Sequence, residues 1–490
     1  MSTTATTGFC RVTVVAPDSR IDVALPDDIA VAAIYPEVLR LTGQTQPAGA
    51  AAGYHLLRGD GNVLDSARSL AAQLVLDGEV LRLRPFAESL PPAVFDDVSD
   101  AVASAVTRDR TLWSDDLLRG AGLVGGALLL VLMGFVLWFA DPVAHDMHSL
   151  PGVIAAAAGV LLAALAAVRA RVYGDRASAV ALGLAALPHV MIAGSGLLPL
   201  AAGEGVGRLQ FLLGCVCVLV VSVGLVAAMP SGDAPFVAAV CAATVGTLAT
   251  FCAILTEADP VDTAAVCAIV AIAAVAFLPG LSARFARLPI GYAPPRSAAD
   301  TDFDTDPDAP VTTGEPVDAE RIAAQARRGH EMLLGLVAGC SAVVLGSAAV
   351  LGFSDSLWGQ LLALTAGLAT LLRARLFRYT AQVACVLAAG LGALGLLVLG
   401  LSLNTPLSVL LAMREGDYGP MDVRTVWLGA AVAAGAALFT GIALVIPKKG
   451  VSPFWGRFVD LAEGAVLLSL VPLCLAVLDV YSAARSMTGP

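Results

Sequence analysis

A chain of 490 residues that is 58% hydrophobic and only 14% charged is too apolar to be an ordinary soluble globular protein. Its net charge of −11 argues against nucleic acid as a partner. Nine cysteines do not amount to a disulfide framework, because eight (Cys215, Cys217, Cys241, Cys252, Cys267, Cys340, Cys385 and Cys474) fall inside apolar runs and Cys10 lies in the polar N-terminal part.

The first 90 or so residues read as a small α+β domain. Phe9–Val15 alternates and is rich in Val, and Ile21–Leu25 alternates again after the turn residues Ala16-Pro17-Asp18-Ser19-Arg20, which predicts a hairpin. Pro26-Asp27-Asp28 is expected to open a helix, with the two carboxylates accepting its free N–H groups. The apolar face of that helix would be Ile29, Ala33 or Ile34, and Val38, with Gly43 past its end. A strand at Tyr54–Leu57, a turn at Arg58-Gly59-Asp60-Gly61, a short helical stretch near Ser66–Gln73 and a last strand at Glu79–Arg84 complete the unit. With Leu81 and Leu83 pointing in, Arg82 and Arg84 would point out.

Residues 89–117 form an acidic linker. Val94, Val98, Val102 and Val106 recur every four residues among Asp96, Asp97 and Asp100, which predicts an amphipathic helix. Its acidic polar face favours packing against protein rather than anionic lipid. Trp113 stands where an interfacial anchor belongs. The first 115 or so residues contain no apolar signal-peptide core, so the first span is expected to insert the chain itself.

From 118 to 480 the chain carries eleven apolar runs of about 16–24 residues, each close to the length that crosses a ~30 Å hydrocarbon core. The expected spans are 118–140, 150–168, 177–200, 209–229, 234–255, 261–280, 332–352, 357–372, 382–403, 425–446 and 461–480. The fold class is therefore an α-helical polytopic bundle behind a small N-terminal domain. With the N-terminus inside, the internal connections hold fifteen Arg and Lys residues, among them Arg169, Arg171, Arg328, Arg373, Arg375 and Lys448. The other side, with the tail 481–490, holds four: Arg208, Arg414, Arg424 and Arg485. That bias sets a cytoplasmic N-terminus and an extracytoplasmic C-terminus. The one long internal connection, 281–331, carries Asp300, Asp302, Asp304, Asp306 and Asp308. An EF-hand starting at Asp300 would need Gly and Glu where the chain has Thr305 and Val311, so this is an acidic loop rather than a calcium site.

Chemistry-bearing groups are scarce within the spans. His189, beside Pro188, is the single ionisable candidate near mid-membrane. Glu463 is expected to pair close to Asp460 and the basic loop. His145 and His148 are too few for a metal site, and no nucleophile–base set or phosphate-cradling loop is found. No cofactor, metal or catalytic activity is expected. Small residues abound instead: Gly122 and Gly126, Gly335 and Gly339, and Gly429 and Ala433 are small-xxx-small pairs that let helices approach closely.

The order hairpin, helix, strand, short helix, strand resembles ubiquitin, most of all over Tyr54–Pro85 with its closing Leu81-Arg82-Leu83-Arg84. The diglycine tail is missing, and of ubiquitin's apolar recognition patch only Leu56 is kept. A ubiquitin-like head (1–88), an acidic linker containing Pro91-Pro92-Ala93-Val94-Phe95-Asp96-Asp97-Val98, and eleven spans ending after Ser452-Pro453-Phe454-Trp455-Gly456-Arg457 together resemble EccD. EccD is the polytopic core component of type VII secretion systems. The resemblance implies a structural subunit of the inner membrane that pairs with a second copy and encloses lipid. It also implies that the head docks a cytoplasmic FtsK/SpoIIIE-like ATPase and a further membrane subunit. On this basis Leu56, Arg82, Arg84, Asp96 and Asp97 are the expected docking residues, and Gly122, Gly126, Gly335 and Gly339 the expected packing residues. A secondary transporter with a regulatory cytoplasmic domain is the alternative; it would need His189 or Glu463.

Overall fold

The computed structural model describes residues 8–17, 19–44, 54–85, 114–201, 203–286, 319–449 and 452–488. The chain divides into two compact units, Met1–Trp113 and Ser114–Pro490. Asp96, Asp97, the helix predicted around Val94–Val106, Trp113 and the Asp300–Asp308 run lie outside the described residues.

The first unit is built as the alternation demands. Strands β1 (Phe9–Val15) and β2 (Arg20–Pro26) pair antiparallel, α1 (Val31–Leu41) crosses over, and β3 (Tyr54–Leu57) and β4 (Val80–Pro85) complete a sheet of order β2-β1-β4-β3. The central pair, β1 with β4, is parallel. A 3-10 turn at Ala71–Gln73 supplies the short helical stretch. One face of the sheet closes on α1: Val12, Val14, Leu25, Val31, Ile34, Val38, Leu70, Leu81 and Leu83 form a sealed core. The helix starts later than the acidic pair predicted. Val31 N–H bonds the carbonyl of Arg68 (3.0 Å) and Ala32 N–H that of Ser66 (2.8 Å). Backbone carbonyls of a neighbouring loop thus satisfy the free N–H groups that Asp27 and Asp28 were expected to cap.

Among its described residues the second unit contains ten helices long and apolar enough to cross a membrane, or eleven if one bent pair counts as a span. They are α2 (Asp115–Trp138), α3 (Leu150–Arg171), α4 (Arg176–Ser195), α5 (Arg208–Ala228), α6 (Ala234–Thr256), the bent pair α7 (Pro260–Val275) and α8 (Leu278–Phe285), α9 (Ala319–Gly352), α10 (Leu357–Arg373), α11 (Thr380–Leu403), α13 (Gly419–Lys449) and α14 (Pro453–Val477). Short helices α12 (Leu407–Arg414) and α15 (Val480–Thr488) follow α11 and α14.

Among the departures of the spans from the expected bounds, three have a visible cause. The sixth is no single rod: α7 and α8 meet at 66°. Pro279 occupies the first turn of α8, and a proline has no N–H to continue the helix before it. The third stops at Ser195 with Gly196 after it, short of residue 200. The last begins at Pro453, eight residues before the apolar window, because Ser452 caps it through the Trp455 N–H.

Two helix groups carry the packing. Helices α7, α9, α10, α11 and α14 share one core of Ala, Val and Leu with Cys340 and Cys474. Helices α3, α4, α5 and α6 share a second around Phe236, which is fully buried. By contrast α13 meets its own chain mainly through α12, and no residue of its most apolar window is buried.

Candidate functional site

On the head, the expected docking residues separate. Leu56 is only 1% exposed and belongs to the core, its N–H bonded to Tyr35 Oη (2.9 Å), so it cannot contact a partner. The strand alternation that buries Leu81 and Leu83 leaves Arg82 and Arg84 exposed on the opposite face. On β3 that alternation puts Leu56 on the inner face; the kept residue of the patch is a packing residue here.

The two expected helix-packing pairs also separate. On α9 a methyl group at Gly335 would lie 2.6 Å from Val237 Cβ, and one at Gly339 would lie 2.5 Å from Cys241 Cβ and 2.9 Å from the Ala238 carbonyl. Backbone therefore touches backbone between α9 and α6, as the small-xxx-small pattern requires. On α2 nothing among the described residues lies within 4 Å of where a side chain at Gly122 or Gly126 would start, and Gly429 on α13 is equally open. Close crossings without that spacing went unseen in the sequence: Gly194 on α4 against Gly214 on α5, Gly390 on α11 against Leu371, and Gly400 against Gly352. None of these glycines has another glycine four residues away, so no local spacing marks them.

Six ion pairs of the bundle lie at the end carrying the basic connections. Asp175 takes Arg119 (2.7 Å) and Arg169. Asp233, 1% exposed, takes Arg328 (2.6 Å), which also lies 3.8 Å from Glu331. Gly232 N–H donates to Glu331 Oε1 (3.1 Å). Gly232 has φ +72, which favours glycine; a Cβ there would meet only the movable end of the Arg176 side chain. Arg375 meets Asp460 (2.7 Å), and Arg373 stands 3.7 Å from Glu463. Glu463 does pair, but its partner comes from the α10 end, 90 residues away in sequence, where nothing local points to it. These pairs tie α2 to α4, α6 to α9 and the region after α10 to α14.

The other end is held by hydrogen bonds to carbonyls. Arg208 donates to the carbonyls of Ala253 (3.1 Å) and Glu257 (3.2 Å), and Arg424 to those of Asn404 (3.1 Å) and Leu401. Asp141 accepts N–H groups of Asp146, Ala144 and Val143, which hold its carboxyl below the usual range. His145 Nδ1 bonds the Trp138 carbonyl and His148 Nδ1 that of Gly196, both at 2.9 Å, so the two histidines staple a loop. No group of three or more His, Cys, Asp or Glu residues is placed to hold a metal among the described residues.

His189 is fully buried on α4. Its Nδ1 is 2.9 Å from the Ala185 carbonyl, and its Nε2 meets no partner among the described residues.

Comparison with known proteins covers both units. Residues 118–487 match the EccD-like transmembrane domain, and residues 9–83 match YukD, a protein of the WXG100 protein secretion system. The chain is 28% identical to the ESX-4 secretion system protein eccD4 of Mycobacterium tuberculosis, in strains CDC 1551 / Oshkosh and ATCC 25618 / H37Rv, over 99% of this chain and 98% of that protein. Protomer 1 of the ESX-3 core complex shares the fold at a TM-score of 0.57 and 20% identity, over 97% of this chain and 100% of that one.

Proposed function

The chain belongs to the EccD family, and from that premise we propose that it is a non-catalytic membrane subunit of a type VII secretion complex in the bacterial inner membrane. The observation that carries this reading is the likeness to a secretion-system protein along nearly the whole chain, head and bundle in the same order. In this reading the head lies in the cytoplasm and docks an FtsK/SpoIIIE-like ATPase through Arg82 and Arg84, with Asp96 and Asp97 of the linker contributing. The bundle pairs with a second copy, with other membrane subunits and with lipid, using the open small-residue faces at Gly122, Gly126 and Gly429. The C-terminus is extracytoplasmic.

Two physical features support it. The ion pairs at the basic end of the bundle brace helices rather than line a path. Helices α2 and α13 expose apolar, glycine-bearing surface that a single chain does not use. The test is purification in mild detergent. A multi-subunit particle holding two copies, from which reversal of Arg82 and Arg84 to Glu releases the ATPase, is the expected result. A monomeric chain, or full ATPase recovery after the reversal, would count against it.

One observation favours a secondary transporter instead: the unpartnered Nε2 of His189. That reading requires substrate uptake by the purified chain in proteoliposomes and its loss in His189→Phe.

A further inference from the structure

The seven arginines of the described head fall into two sets. Arg40 pairs with Glu37 (2.5 Å), Arg58 with Glu79 (3.3 Å), and Arg68 donates to the Ala72 carbonyl (3.0 Å). The other four, Arg11, Arg20, Arg82 and Arg84, enter no ion pair among the described residues, and all are exposed on the strands.

The sheet register gathers these four. Arg20 stands opposite Val15, Val15 opposite Arg82, and Arg82 opposite Leu57, one row across all four strands. Arg84 lies two residues along β4 on the same face, opposite His55. Arg11 lies two residues along β1 from Thr13, which stands opposite both Asp22 and Val80. Asp22 is the one acid facing out from the strands, and Thr13 Oγ1 already occupies its carboxylate at 2.5 Å. A sheet stabilises itself by setting opposite charges side by side. This outer face concentrates one sign instead, in a head whose remaining arginines are satisfied.

We propose that this face is a docking surface for a carboxylate-rich polypeptide; the proposal rests on the head being an adaptor and specifies where and to what it binds. Side chains two apart on a strand rise about 7 Å apart on one face. Arg82 and Arg84 therefore match carboxylates two apart on an extended segment, with Arg20 and Arg11 completing a broader cationic field. Guanidinium forks suit bidentate carboxylate recognition. An anionic leaflet is the poorer occupant, because Glu88, Asp96, Asp97 and Asp100 follow the head in sequence and would be drawn toward the same repelling surface.

The test places a photo-reactive benzoylphenylalanine at Val80, which is 37% exposed within the face, in the full chain of the assembled complex. The expected adduct maps to an Asp- and Glu-rich segment of another subunit. Its recovery falls at least about fivefold in R20E/R82E, and again between about 50 and 500 mM salt, where screening shortens to a few ångströms. R20K/R82K keeps at least about half of it, and R68E leaves it unchanged. An adduct to lipid, an adduct to the chain's own linker, or a recovery indifferent to charge and salt would overturn the proposal. A complex that assembles normally without the adduct would remove this surface while leaving the subunit role standing. A native chain that enters no complex would remove the role itself.

Discussion

Two glycine pairs of identical spacing meet opposite fates in this bundle. Gly335 and Gly339 on α9 are pressed against Val237, Cys241 and the backbone of α6, whereas Gly122 and Gly126 on α2 face nothing within 4 Å among the described residues. In lipid there is no hydrophobic drive between helices, so close packing of small residues and polar ties must hold them together. The first pair has both: its seam ends in the buried Asp233–Arg328 contact. On α2, contact with the rest of the chain runs through Ala127, Leu130, Leu137 and Gly134, the last near Pro188, His189 and Ile192, and through Arg119 at Asp175. The spacing says that a backbone can be approached. Only the surrounding chain says which backbone does so.

The sharpest test of this contrast is Gly339→Leu. A side chain there collides with the Cys241 side chain and the Ala238 carbonyl, and helical backbone cannot give way cheaply. Overpacking of this kind costs about 1–3 kcal/mol, with this site at the upper end. The expected outcome is a clear fall in apparent melting temperature and yield in detergent. An unchanged melting curve would mean that α6 and α9 are not in backbone contact. Asp233→Asn asks whether the same seam is also held ionically. Losing one partner of a buried pair costs about 3–5 kcal/mol, but Arg328 is 43% exposed and retains access to water, so about 1 kcal/mol is expected from thermal unfolding.

The same contrast explains what was legible in the sequence. Span positions were, because the hydrocarbon core demands a length and an absence of charge that composition displays directly. The order of strands and helix in the head was, because its alternation of periods is local. What depended on a distant residue was not. Leu56 looked like a recognition residue until β3 turned it into the core. Asp27 and Asp28 looked like caps until the 66–68 loop supplied carbonyls. Glu463 was expected to find a base nearby and found Arg373. The start of α14 at Pro453 was hidden because Phe454, Trp455 and Arg457 fall outside any apolar window, though nothing in them stops a helix.

A smaller effect is expected where α2 is tied to its neighbours. The Ser178 hydroxyl and N–H, with Arg169 and Arg119, hold the Asp175 carboxyl well below the usual carboxylate range. A depressed value in the folded state means that this stabilisation is complete above the unfolded value near ~4 and is lost as pH falls through the folded one. Acid should therefore loosen the α2–α4 contact only below about pH 4. Asp175→Asn should remove that part of the acid sensitivity, read as accessibility of a cysteine introduced at Gly120. A profile identical in the variant would show that Asp175 does not hold α2.

The smallest expected effect is also the one that completes the contrast. Gly122→Leu and Gly429→Leu add side chains into space that the chain itself leaves open, so the isolated subunit should melt within about 0.5 kcal/mol of the unaltered chain, as for any surface substitution. If α2 and α13 are faces for a second copy, the same substitutions should cut the dimeric fraction severalfold in native mass measurements. Loss of monomer stability comparable to Gly339→Leu would mean that α2 packs within its own chain after all. Full stability with an undiminished dimer would place the contact elsewhere and leave these glycines as mere lipid-facing surface. Stability kept and pairing lost is the one combination that makes identical spacings on α2 and α9 serve two different chains.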